Sequence, residues 1–240
     1  MHLWQTGGDK IFKGFTDETI SFMLDIRFNN NKEFMSTNRE AYIENLRTPF
    51  YELIDTLAPY MLEIDPLMEV RPSKCLSRIF RDTRFTRDKS PYRDHHWVAF
   101  RRRGYKKEKV PMYWMELRVE SINWGLGFWG PNKTAMDIIR QRVVNKPNEF
   151  SKYDELLSEY GFTMRGDTYK RLKSPVELSA SALRWYNSME LLFIKNEIDP
   201  MIAFSPKLSD VLIRDFTSLK PIYNMMLDSA LSAVEGRNIK

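Results

Sequence analysis

The sequence predicts a single-domain α+β protein, a mainly antiparallel sheet flanked by N-terminal and C-terminal helices. Three observations carry this. Apolar residues recur at helical spacing over the first 62 residues and again from about Ser205 to Leu231. Between them, the region from Trp97 to Trp129 shows the period of two that marks half-buried strands. The chain has 240 residues, 42% of them apolar, 29% charged and 13% aromatic. That is enough to bury one sizeable core, and a composition too ordinary for a fibrous, low-complexity or disordered chain.

The elements follow in order. Residues 1–14 read as an N-terminal arm and 15–240 as the domain. Thr16-Asp17-Glu18-Thr19 places a hydroxyl and two acids at a helix start, and Ile20, Met23, Leu24 and Phe28 give that helix its stripe. Asn29-Asn30-Asn31 ends it and caps the next, since Asn tolerates left-handed backbone and bonds nearby amides. A second helix begins near Lys32 and carries Phe34, Asn38, Tyr42 and Leu46. Pro49 either interrupts it or sits in the first turn of a continuation bearing Phe50, Leu53, Ile54, Leu57 and Met61. Arg78–Arg81 is a candidate short strand and Trp97–Phe100 a better one, followed by a basic turn over 101–109. From Met112 onward, Tyr113, Met115, Leu117 and Val119 share one strand face, and Trp114, Glu116, Arg118 and Glu120 the other. A turn at about 120–123 leads to a strand ending at Phe128-Trp129. Asn132 caps a helix carrying Ala135, Ile138, Ile139 and Val143; another runs from about Asn148 to Tyr160 and stops at Gly161. A loop rich in Lys and Arg, around 170–173, precedes a last buried strand, Leu191–Ile194. In the final helical stretch Pro221 is expected to introduce a kink.

Charge is concentrated. The chain carries 37 Lys+Arg and 32 Asp+Glu, net +5. Residues 71–109 hold fourteen of the cations against four acids, so that segment is +10 and the remainder −5. No apolar run approaches the roughly 20 residues of a membrane span, and the N-terminus lacks the apolar core of a signal peptide. The single Cys75 forms no internal disulfide, which points to a cytoplasmic protein, and it excludes a multi-cysteine zinc site. With only three histidines, no metal cluster is expected, and no cofactor. Gly125–Gly130 matches G-x-G-x-x-G formally. Its preceding strand is amphipathic and hairpin-bound where a dinucleotide fold needs a buried parallel one, and Pro131 opens the next helix, so that reading is set aside.

The informative stretch is 78–92. Five cations fall within twelve residues, interleaved with Phe80, Phe85 and Tyr92. Arg78, Arg81 and Arg84 bring guanidinium forks that match carboxylate or phosphate oxygens two at a time. Asp82 suits a bidentate pair that orients one of them. Ser90-Pro91-Tyr92 is a rigid turn holding Lys89 and Tyr92 nearby. Arg78, Arg81, Asp82, Arg84, Phe85, Lys89 and Tyr92 are therefore the candidate ligand-binding set. Asn30, Lys32 and Glu33 at a helix start, His95, and Glu116 are possible accessories. Glu116 and Glu120 could form an acid–base pair; a solvated cross-strand row is the plainer alternative. His95 and His96 are adjacent, so in a strand they face opposite ways and at most one serves the site. Cys75 reads as a small buried thiol.

At this motif the chain resembles a family. R-x-x-R-D-x-R-F-x-x-x-K-x-P-Y marks the bacterial and fungal family of unknown function 2461 (DUF2461), and Arg78, Arg81, Asp82, Arg84, Phe85, Lys89, Pro91 and Tyr92 fill its positions. Phe15-Thr16 with Phe22 and Leu24, Asn30–Phe34, and Gly125–Trp129 followed by Pro131 resemble further segments of it, over about residues 12 to 230. Phe34-Met35 replaces the family's Trp-Phe, and the basic 101–109 turn has no counterpart. The resemblance implies a single-domain protein and no particular activity.

Three functions compete. In the first, the motif binds a small phosphorylated or carboxylated ligand, with Tyr92 or a histidine moving protons if there is a reaction. In the second, 71–109 is a nucleic-acid surface of cations and stacking aromatics. In the third, the arginines only lock helices to sheet. The irregular spacing within 78–92, mixed with Asp, Pro and aromatics, favours the first narrowly. Nothing in the sequence sets the oligomeric state.

Overall fold

A computed structural model of the protein describes residues 11–170, 172–196 and 198–238. Of the arm read over 1–14, residues 1–10 lie outside the described residues. Phe12, just after them, is buried in the core, and its N–H donates to Thr56 Oγ1 at 3.1 Å. Phe15 is buried beside it, the two rings meeting edge to face at 5.2 Å.

Helix α1 (Asp17–Phe28) starts where the Thr-Asp-Glu signal places it, with the Thr16 N–H donating to Thr19 Oγ1 at 3.3 Å. The three asparagines then divide the work. Asn29 closes α1 by donating its N–H to the Asp25 carbonyl at 2.8 Å, and Asn31 caps α2 (Lys32–Thr37) by accepting from Phe34 N–H at 2.8 Å. Asn30 does neither and belongs to the site described below. The expected second helix is a relay of short pieces: α2, α3 (Arg39–Ala41), a π-helical turn over Tyr42–Arg47, and α4 (Thr48–Ile64), which carries Phe50, Leu53, Ile54, Leu57 and Met61 inward. Pro49 sits in the first turn of α4, where its missing N–H is least costly.

The sheet comprises β1 (His96–Arg101), β2 (Pro111–Leu117), β3 (Ile122–Phe128), β4 (Phe162–Arg165) and β5 (Leu192–Lys195), in the spatial order β1-β2-β3-β5-β4, antiparallel throughout. The first three form the hairpin meander that the alternation predicts. Strand β2 ends at Leu117 and residues 118–121 turn, with Arg118 N–H donating to Ser121 O at 2.8 Å. Glu120 is therefore off the strand and does not share a face with Glu116. Arg78–Arg81 is not a strand either. Leu76 bridges Val98 and Phe80 bridges Tyr92, each singly, because this segment only lines the edge of β1 before looping away. That lining protects an otherwise open sheet edge.

Helices cover one face of the sheet. Helix α4 and the short α5 (Pro72–Cys75) pack on β1, α9 (Lys207–Ser218) on β3, and α10 (Lys220–Asn238) on β2 and on α6 (Lys133–Asn145). The inward set, including Val98, Phe100, Tyr113, Met115, Trp124, Leu126 and Phe193, is buried against them. The opposite face, with Trp97, Ala99, Trp114, Glu116, Leu192 and Ile194, is only half covered. Hence Leu191–Ile194, expected as a buried strand, alternates: Phe193 is fully buried while its neighbours Leu192 and Ile194 are not.

Further differences have simple causes. The C-terminal stretch is two helices rather than one kinked helix: the chain breaks at Leu219, and Pro221 lies in the first turn of α10, where proline is tolerated. Strand β4 and α8 (Ala180–Asn187) are too short to show a period. Helix α7 (Pro147–Glu159) ends as expected at Gly161, whose φ of +66° suits a residue without Cβ. The basic loop at 170–173 includes position 171, outside the described residues. Among the described residues no helix is long and apolar enough to cross a membrane.

Candidate functional site

The arginine motif leaves the edge of β1 as a loop with a closed base. Ser77 N–H donates to the Trp97 carbonyl at 2.8 Å, and Trp97 N–H returns to Ser77 Oγ at 3.2 Å. Above this, Arg81 N–H donates to Pro91 O and Arg93 N–H to Ile79 O, both at 2.8 Å. Asn30 clamps the returning limb. Its Nδ2 donates to Tyr92 O and its Oδ1 accepts from Tyr92 N–H, each at 2.9 Å. Tyr92 is only 5% exposed, with its ring against Phe80 at 5.4 Å.

Two aspartates set the loop's interior. Asp82 accepts from the Arg84 N–H at 3.2 Å and takes both arms of the Arg84 fork, at 2.9 and 2.6 Å. The Arg84 guanidinium holds the Asp82 carboxyl down to about 2. Asp88 accepts from Ser90 N–H at 2.9 Å and Ser90 Oγ at 2.6 Å, and pairs with Arg81. The Ser90 hydroxyl and then Arg81 lower its pKa as well. Lys89 Nζ donates to the Thr83 carbonyl at 2.8 Å.

Between this loop and β1 lies a cavity of about 490 Å³. Arg78, Arg81, Arg84 and Arg93 line it with Asp82, Thr83, Phe80 and Trp97. Arg84 is neutralised by Asp82 and Arg81 by Asp88. Arg78 and Arg93 have no acid within ion-pair distance among the described residues. Arg93 is half-buried, its guanidinium stacked over the Trp97 ring at 4.7 Å, and its Nε is buried without a hydrogen-bond partner. Burial, and next the charge of Arg81, pull Arg93 below the ordinary arginine pKa. The cavity therefore holds uncompensated positive charge next to an arginine already short of partners.

Of the candidate set, Arg78, Arg81, Asp82 and Arg84 converge on this cavity, and Phe85, Lys89 and Tyr92 do not line it. Phe85 is 88% exposed, beneath the Arg84 guanidinium. Among the accessories, Asn30 acts on backbone, and Lys32 and Glu33 stand exposed on the first turn of α2. Glu116 lines a second cavity of about 270 Å³ on the uncovered sheet face, and Trp97 belongs to both cavities. Glu116 is bonded by the Arg118 fork at 2.8 and 2.9 Å, whereas Glu120 pairs with Arg27, so the two acids serve separate arginines. His95 lies between Asp94, at 3.0 Å, and Glu116, at 3.9 Å, with its ring 6.0 Å from Trp97. His96 faces the other way and is fully buried. Among the described residues no three His, Cys, Asp or Glu side chains group as a metal would need.

Sequence reasoning missed Arg93 and Trp97. The signal was alternation: if the limb at 92–93 is extended and Tyr92 points inward, Arg93 points out, and Trp97 stands on the outward face of the next strand. The basic run that follows is largely used internally. Arg101 donates to Tyr105 O at 2.8 Å, Arg102 lies 3.7 Å from the buried Asp65, and Arg103 reaches the Leu67 carbonyl at 3.4 Å.

No curated protein and no solved structure matches the chain. A family model described as a conserved hypothetical protein, DUF2461, matches residues 18–225, which span most of the chain, from α1 through the arginine loop and the whole sheet into α10. The chain belongs to the DUF2461 family.

Proposed function

We propose that the protein binds a small anion, phosphate or carboxylate, in the cavity between the arginine loop and β1. The observation that carries this is the pair Arg78 and Arg93, two guanidinium groups in one cavity wall with no acid partner, one of them with a buried Nε that has no acceptor. Arg78 is exposed and an unpaired charge costs it little, so the weight falls on half-buried Arg93: a purely structural cluster would give its buried Nε an acceptor, because a buried unpaired donor costs free energy that an acceptor recovers. Asp82 and Asp88 act on the loop itself and hold Arg81 and Arg84 in place, as a preorganised site requires. The candidate proton movers stand outside the cavity, Tyr92 in the core and His95 beyond Trp97, so the reading is one of binding. A nucleic-acid surface over 71–109 is less well supported, since three arginines of its basic run are bonded to the protein itself. The expectation of a cytoplasmic protein fits this reading: its one cysteine, Cys75, is a buried free thiol whose pKa burial pushes up to about 12.

Calorimetric titration with pyrophosphate at low ionic strength tests the proposal. Saturable binding is expected, weakening as salt rises. Arg93→Met keeps an unbranched apolar side chain beside Trp97 and removes the guanidinium with its charge-assisted bonds; it should weaken binding about tenfold or more. Absence of binding, or wild-type affinity in both Arg93→Met and Arg78→Met, would overturn it.

A further inference from the structure

The uncovered sheet face carries more aromatic surface than a solvated face needs. Trp97, Trp114 and Trp129 all line the second cavity, and Glu116 is its one charged member. Trp129 is 42% exposed. It lies 6.1 Å from Trp97, and Lys107 caps its ring at 4.2 Å. Trp114 pairs across strands with Gly125, where an added Cβ would come within 1.9 Å of the Phe193 carbonyl oxygen and 3.3 Å of the Trp114 ring. The glycine thus admits the backbone of β5 first and leaves room for the ring beside it. An apolar, tryptophan-walled hollow left open to water marks a binding surface more often than a solvated one. Its position says what for: Trp97 is a wall of this hollow and of the arginine cavity alike, so the two adjoin at one indole. Together the two volumes fall within the 300–1,000 Å³ usual for small-molecule sites.

We infer that the ligand is a nucleoside phosphate, its phosphate among Arg78, Arg84 and Arg93 and its base against Trp114 and Trp129. The inference rests on the anion reading above and narrows it. A flat ring suits this wall better than an alkyl chain. Ring faces stack on indole, and the cations of Lys107 over Trp129 and Arg93 over Trp97 hold those indoles in place. The phosphate is the dianion that two unpaired guanidinium groups call for.

The test compares adenosine 5′-monophosphate, ribose 5-phosphate, hexyl phosphate and adenosine by calorimetry on the full chain. The nucleotide should bind about tenfold or more tighter than ribose 5-phosphate, the usual scale of one base stacked on an aromatic side chain. Hexyl phosphate should gain less, and adenosine should bind far more weakly than the nucleotide. Trp129→Ala should bring the nucleotide down toward the affinity of ribose 5-phosphate, with only the Trp114 share of the gain left, and leave the latter unchanged; Trp129→Phe should keep most of the gain. Unchanged circular dichroism shows that each variant is folded, and Trp129 is exposed enough for that to be expected. If nucleotide and ribose 5-phosphate bind equally, or hexyl phosphate binds best, the base site is refuted and the anion site stands. If none of the phosphates binds, both fall. A single-stranded octanucleotide binding much more tightly than the mononucleotide would overturn the small-molecule assignment in favour of a strand.

Discussion

His96 is fully buried in β1, shares a hydrogen bond of 3.1 Å with Ser77 Oγ through Nδ1, and leaves Nε2 without a partner. Its ring lies 5.9 Å from Phe50 of α4. Burial holds its imidazole down to about 3, so it stays neutral in the folded protein at any ordinary pH. In the unfolded chain the same group takes a proton near 6.5. Between those values the unfolded state binds the extra proton, so stability rises with pH across this window and is lost as pH falls from 6.5 toward 3. At about 1.4 kcal/mol per pH unit, this one residue removes roughly 2–3 kcal/mol by pH 4.5. His96→Gln keeps a polar partner for Ser77 and does not titrate. Urea unfolding at pH 7, 6, 5 and 4.5 should show the gap between wild type and variant closing as pH falls. Parallel profiles would mean that His96 does not set the acid sensitivity. His95, just ahead of β1, differs in every respect that matters: it is partly exposed and faces carboxylates, because the extended backbone entering the strand sends the two rings to opposite sides.

At the scale of elements, the N-terminal helices are joined by one hydroxyl. Pro49 has no N–H to give the carbonyl of Asn45 four residues back. Thr19 of α1, fully buried, donates its Oγ1 to that carbonyl at 2.7 Å and accepts from Thr16 N–H at its own helix start. The proline that breaks the hydrogen-bond ladder thus provides the acceptor that docks α1 onto the π-helical turn ahead of α4. Thr19→Val preserves the shape and removes both bonds, taking that donor from the half-buried Asn45 carbonyl. It should destabilise the protein by about 1–3 kcal/mol in urea unfolding with an unchanged denaturant slope, while Thr19→Ser should cost less. A larger loss in Thr19→Ser, which drops the methyl, than in Thr19→Val, which keeps it, would assign the effect to packing of the methyl group instead. The same joint governs the site at a distance, since α1 and the asparagines after it deliver Asn30 to the Tyr92 backbone.

For the molecule as a whole, what was legible followed from periodicity and what was not followed from long-range pairing. The meander, the helix starts at Thr16, Asn31 and Asn132, and the stop at Gly161 are local effects of alternation, capping and backbone freedom. The convergence of Arg78, Arg81, Asp82 and Arg84 was readable because they lie in one short loop. The role of Asn30 was not, because its partner Tyr92 is 62 residues away. Asp215 is the clearest case. It occupies the apolar face of α9 with Leu208, Leu212 and Phe216, is completely buried, and accepts from Trp124 Nε1 of β3 at 2.9 Å. Lys195 of β5 lies 3.2 Å away and the Arg214 fork closes on it at 3.0 and 2.8 Å. A carboxylate in an apolar stripe is a visible anomaly in sequence, but its partners on two strands are visible only in the fold. This cluster ties the helical layer to the centre of the sheet, so its loss should be felt globally. Asp215→Ala leaves Lys195 largely buried and unpaired and the Trp124 N–H without an acceptor, and should cost roughly 3–5 kcal/mol, near the whole stability margin of many domains. Asp215→Asn keeps an acceptor for Trp124 and should cost less. Replacing Lys195 together with Asp215, by Met and Leu, should recover much of the loss, because removing both charges also removes their desolvation cost. Thermal unfolding of the single and double variants decides it. A double variant no more stable than Asp215→Ala would show that the Trp124 hydrogen bond, and not the ion pair, holds the helices to the sheet.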